Sequence, residues 1–75
     1  MKYRVVFEYQ TEDGAMSDVY KFGDEQAAKE KFAELKDSLE HAFDLSTCEM
    51  IDEPTHYCLI NRKEGIYGYV RLLAD

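Results

Sequence analysis

Residues 3–10 (YRVVFEYQ) alternate along the chain. Tyr3, Val5, Phe7 and Tyr9 fall on one side and Arg4, Val6 and Glu8 on the other, which is the period-two pattern of a half-buried strand. Asp13-Gly14 follows, a hairpin signal because glycine accepts the positive φ of a tight turn. Residues 16–22 (MSDVYKF) then read as the return strand. A two-residue loop at Asp13-Gly14 pairs Phe7 with Tyr20 and Val5 with Phe22, whereas a three-residue loop sets Phe7 against Val19 and Val5 against Lys21. The first matches apolar with apolar and is the expected register.

Gly23 breaks the strand, and Asp24 suits a helix N-cap. From Glu25 to about Phe43 the apolar positions are Ala28, Phe32, Leu35, Leu39 and Ala42/Phe43, stepping by four and three. That stripe predicts one amphipathic helix lying on a sheet. Residues 47–52 (TCEMID) read as a third strand ended near Pro54, 56–61 (HYCLIN) as a fourth and 66–73 (IYGYVRLL) as a fifth. Arg62-Lys63-Glu64-Gly65 forms the polar turn between the last two. Gly68, inside the fifth strand, predicts a bulge or the close approach of another backbone. In the same strand Ile66, Val70 and Leu72 are expected inward, leaving Tyr67, Tyr69, Arg71 and Leu73 on the far face. The expected fold is α+β: a single domain over residues 1–75, two-layered, ββαβββ, with an antiparallel sheet and one long helix packed on one face.

Composition changes what this domain is expected to meet. Sixteen acids against nine bases leave a formal charge of −7, which repels nucleic acid and anionic lipid and favours a protein partner with a basic surface. The bland alternative is that the acidity serves solubility. Met1 leads straight into a strand pattern, and no apolar run approaches the roughly 20 residues that span a bilayer. Cys48 and Cys58 are too few to staple a secreted mini-domain and read as reduced, buried thiols. The expected location is the cytoplasm.

No stretch carries a motif that names a reaction. His41, Cys48, His56 and Cys58 lack the paired spacings of zinc sites, and nothing marks the His56–Cys58 pair as an activated nucleophile. The glycines form no phosphate loop, and a chain this short rarely builds a deep pocket. No catalytic residue, metal or cofactor is expected.

Charge placement is more suggestive. Glu30, Glu34, Asp37 and His41, with Asp44 just beyond, repeat the four–three step on the helix side opposite the apolar stripe. No Lys or Arg falls within this strip, while Lys29 and Lys36 flank it. Like charges one turn apart cost a helix a few tenths of a kcal/mol per pair, so a strip without interleaved lysines suggests a docking surface, set against the plainer reading of a solvated face. Glu49, Asp52 and Glu53 form a second acidic cluster. Tyr67 and Tyr69, beside Arg71, have the composition of an interface anchor, although they equally suit a simple cover for the back of the sheet.

In length, acidic balance, free-standing α+β architecture and lack of catalytic residues, the chain resembles the small acidic inhibitors encoded by phages and other mobile elements, the anti-CRISPR proteins above all. The resemblance covers the whole chain but includes no shared residue motif, so no functional position is carried over from it. It implies a non-enzymatic inhibitor acting in the host cytoplasm. Such a protein would engage a basic, nucleic-acid-handling protein such as a CRISPR effector, its carboxylates mimicking DNA phosphates. Glu30, Glu34, Asp37, Asp44, Glu49, Asp52, Glu53, Tyr67 and Tyr69 are the expected partner-binding residues. The alternative is a regulatory or structural module that homodimerises through its sheet.

Overall fold

The computed structural model describes residues 2–74. The strands are β1 (Tyr3–Thr11), β2 (Gly14–Phe22), β3 (Glu49–Glu53), β4 (His56–Asn61) and β5 (Ile66–Ala74). The helix α1 (Glu25–Ala42) follows β2, and a 3₁₀ turn at Leu45–Thr47 precedes β3. The five strands form one antiparallel sheet in the order β2-β1-β5-β4-β3. The fold is the expected α+β arrangement, with the terminal strands β1 and β5 paired at the centre of the sheet.

The β1–β2 register differs from the expected one by two residues. The loop is Glu12-Asp13, so Phe7 faces Asp18, Val5 faces Tyr20 and Tyr3 faces Phe22. The positive φ falls on Gly14 itself, at 140°, and the Asp13 N–H donates to Thr11 Oγ1. The expected register would have drawn Asp24 into the ladder opposite Tyr3. In the observed one the strand ends at Phe22 and Asp24 is released to cap α1, its carboxylate accepting from the Ala27 N–H at 3.1 Å. A two-residue slip keeps every side chain on its face, so the core pattern survives.

The core is Val5 and Phe7 of β1, Tyr57 and Leu59 of β4, Val70 of β5, and Ala28, Phe32, Leu35, Leu39 and Phe43 from the helix stripe and its C-cap. Gly68 lies in an unbroken ladder between Tyr9 and Leu59, so there is no bulge. It is approached by side chains rather than backbone: a Cβ there would lie 2.6 Å from Leu39 Cδ2 and 3.1 Å from the Phe43 ring. The glycine lets the C-terminal end of α1 sit down on β5.

The connection from β2 to β3 must carry the chain from one edge of the sheet to the other. At about 1.5 Å per residue α1 is roughly 27 Å long, against roughly 19 Å across five strands, so it crosses diagonally. It starts beside the end of β2 and finishes over Gly68 of β5. A diagonal rod on a rectangular sheet leaves two corners, one over β3 and β4 and one over the turn end of β1 and β2. Among the described residues no helix is long and apolar enough to cross a membrane.

Candidate functional site

The two corners are finished differently. Toward β3 and β4, α1 presents Lys36 and Glu40. The Lys36 Nζ pairs with Asp52 at 3.1 Å and lies 5.0 Å from the centre of the Tyr57 ring, while the Tyr57 hydroxyl donates to Glu40 at 3.2 Å. Burial, reinforced by the Glu40 carboxylate, pushes the Tyr57 phenol up to about 12. This corner is closed.

Toward β1 and β2 the matching flank carries Lys31 and then Ser38 and Ala42. Lys31 covers the Tyr20 ring at 4.5 Å, but Ser38 and Ala42 are too short to cover what lies beyond it. A groove of about 700 Å³ results, floored by Phe7, Tyr9, Leu39, Phe43 and Ile66. Its rim includes Glu12 and Asp13 from the β1–β2 turn and Glu64 from the β4–β5 turn. Antiparallel pairing of β1 with β5 brings these turns together, because Gln10 faces Tyr67. The groove is open to solvent rather than a deep pocket.

Glu12, Asp13 and Glu64 share a property that the expected site residues mostly lack: their carboxylates pair with no cation among the described residues. On the helix strip, Lys31 reaches Glu34 at 3.5 Å from the flank opposite Lys36. His41 Nδ1 lies 2.8 Å from the Asp37 carbonyl oxygen and 3.6 Å from its carboxylate, and both contacts raise the His41 pKa, the carbonyl contact most. Asp44 caps the 3₁₀ turn, accepting from the Ser46 hydroxyl and N–H, which lower its pKa. Of the strip only Glu30 is without a partner among the described residues.

Strand alternation divides the second acidic cluster. Asp52 lies on the helix side, whereas Glu49 and Glu53 lie on the open side, paired with Arg62 and, at 3.9 Å, with His56. Tyr67 and Tyr69 are on the open face as expected, but their hydroxyls converge on one acceptor, Glu8, at 2.7 and 3.3 Å. The hydrogen bond to Glu8 raises the Tyr67 pKa, and for Tyr69 burial is the larger cause.

His56 and Cys58 share the open face of β4, across the sheet from the groove. Burial pushes the Cys58 thiol up, which is opposite to the activation a nucleophile needs. Cys48 is half-buried, and both thiols are free. No group of three or more His, Cys, Asp or Glu side chains among the described residues is arranged to hold a metal.

The groove and its rim were not foreseen. Two local signals pointed to them: acids in both hairpin turns, and small residues at 38 and 42 on one helix flank opposite Lys36 and Glu40 on the other. A scan against protein-family models, a search of curated proteins and a search of solved structures each return no match.

Proposed function

We propose that this chain is a non-enzymatic binding protein that engages the basic surface of a nucleic-acid-handling protein, as an anti-CRISPR-type inhibitor would, and blocks that partner's access to nucleic acid. The supporting observation is a net charge of −7 in which Glu12, Asp13, Glu30 and Glu64 have no counter-ion among the described residues. The pairs that engage Glu34, Asp37 and Glu49 are exposed. Exposed pairs contribute only about 0–1 kcal/mol, so a partner's arginines displace them at little cost. These acids therefore remain part of the surface a basic protein meets.

The test is affinity capture from a host extract at low and high salt, followed by a nucleic-acid-binding assay on the captured protein. Capture is expected to fall steeply with salt, and the partner's nucleic-acid binding is expected to be inhibited. A captured partner whose nucleic-acid binding is untouched would overturn the inhibitory reading. Full binding by the Glu30→Lys, Glu34→Lys, Asp37→Lys triple variant would remove the helix strip from the interface.

One observation favours a second reading, self-association through the sheet. The edge strand β2 is nine residues long and mostly exposed, and Val19 and Ile51 on the open face are 47% and 42% exposed. A long exposed edge is a template for strand pairing. This reading requires a concentration-dependent oligomer in sedimentation, and a strict monomer at high concentration rules it out.

A further inference from the structure

We infer that the groove between the C-terminal end of α1 and the β1–β2 turn binds a basic segment of the partner protein in which an apolar side chain is flanked by Lys or Arg. This rests on the basic-partner reading above and assigns it a place. The floor supplies the apolar half of the recognition: the half-buried Tyr9 and Ile66, backed by the buried Phe7, Leu39 and Phe43, line a space of about 700 Å³, within the roughly 300–1,000 Å³ typical of ligand clefts. The rim supplies the polar half. Glu12, Asp13 and Glu64 approach from two turns, and none has a cation partner among the described residues.

A further contribution comes from the helix. The last turn of α1 lines the groove through Ser38, Leu39 and Ala42, and a helix C-terminus carries roughly half a negative charge on its unpaired carbonyls. The nearby bases are engaged elsewhere or lie off the groove: Arg62 is held by Glu49, His41 of the last turn by Asp37, and Lys63 does not line the groove. An apolar side chain fits the floor but gains nothing from the rim, and a bare cation fits the rim but leaves the floor wet. A segment carrying both matches the whole site. The opposite corner, where the Lys36 ammonium lies over the Tyr57 ring and pairs with Asp52, shows a related recognition made within the chain: a cation held between an aromatic face and a carboxylate.

The experiment is a titration of ¹⁵N-labelled protein with two short capped peptides of equal charge, Arg-Lys-Phe-Leu-Lys-Arg and Arg-Lys-Ser-Ser-Lys-Arg. The first is expected to bind about tenfold or more tighter, the gain from burying one large apolar side chain. Its shifts should centre on the amides of Thr11, Ala42 and Ile66. Ala42→Trp, which fills the groove from an exposed position, should abolish the difference between the peptides. The Glu12→Gln, Asp13→Asn, Glu64→Gln triple should weaken both, while Glu25→Gln, at the opposite end of α1 and away from the groove, should not.

Equal affinity for the two peptides, unchanged by Ala42→Trp, overturns the groove and leaves the basic-partner reading standing. Shifts centred on Val6 and Val19 of the open face overturn it as well. Binding of neither peptide at low salt overturns both readings.

Discussion

The two corners beside α1 are built on the same sheet by opposite flanks of the same helix, yet one is closed and the other open. Over β4, Lys36 and Glu40 reach down to Asp52 and the Tyr57 hydroxyl. Over β1 and the turn end of β2, Ser38 and Ala42 stop short and leave the half-buried Tyr9 along a groove. The difference is one of side-chain length at two pairs of positions. A long amphipathic side chain covers apolar surface with its stem while its charged head stays in water. Where such residues are replaced by short ones, the surface is left for another molecule to cover. The acids follow the same division, since Asp52 is paired with Lys36 while Glu12, Asp13 and Glu64 of the groove's rim pair with no cation among the described residues.

The line between the corners is the seat of α1 on β5, and breaking it should have the largest effect. Leu39 is almost fully buried against Gly68, and Leu39→Ala should cost about 2–5 kcal/mol in urea denaturation. A loss well under about 1 kcal/mol would mean that the helix is not seated there. Gly68→Ala attacks the same seat from the sheet side. Its Cβ would have to displace Leu39 Cδ2 and press on the Phe43 ring, for an expected cost of about 1–3 kcal/mol.

The closed corner is tested more gently by Tyr57→Phe, which keeps the ring and removes the hydroxyl donated to Glu40; the expected loss is about 0.5–1.5 kcal/mol near neutral pH. The raised phenol adds a pH signature. A folded-state value of about 12 against an ordinary 10.0 means that the neutral form is favoured by folding. That contribution is complete below pH 10 and is lost as pH rises toward 12. Wild type should therefore lose stability across this window more steeply than Tyr57→Phe, and parallel alkaline profiles would mean that the phenol is not held as described.

The smallest effect belongs to the open corner. Ala42→Trp should leave stability within about 0.5 kcal/mol of wild type, because the new ring enters open space rather than the core. A cost comparable to that of Gly68→Ala would show that no room exists there.

Most of the elements were legible because each is written in a pattern local to itself. The four–three stripe of α1 predicted its buried face, and alternation in β4 and β5 placed Tyr67 and Tyr69 opposite Val70. The β1–β2 register slipped because Asp13-Gly14 satisfies a two-residue turn in isolation, whereas the chain also needs Asp24 free to cap the helix. Spacing alone leaves the helix strip lysine-free, yet Lys31 reaches Glu34 from the side. The cluster of Glu49, Asp52 and Glu53 looked continuous in sequence and is split by the pleat.

Period, capping and turn chemistry act over a few residues, so the order of amino acids is enough to specify a small acidic domain with a hairpin, one amphipathic helix and three further strands. Long-range packing set the strand order β2-β1-β5-β4-β3, the diagonal of the helix and hence which corner stays open. It also decided which carboxylates keep their charge uncompensated. Those outcomes depend on where residues distant in sequence, such as Asp13, Ala42 and Glu64, come to rest beside one another, and that is set by the packing of the helix across the sheet rather than by any one element.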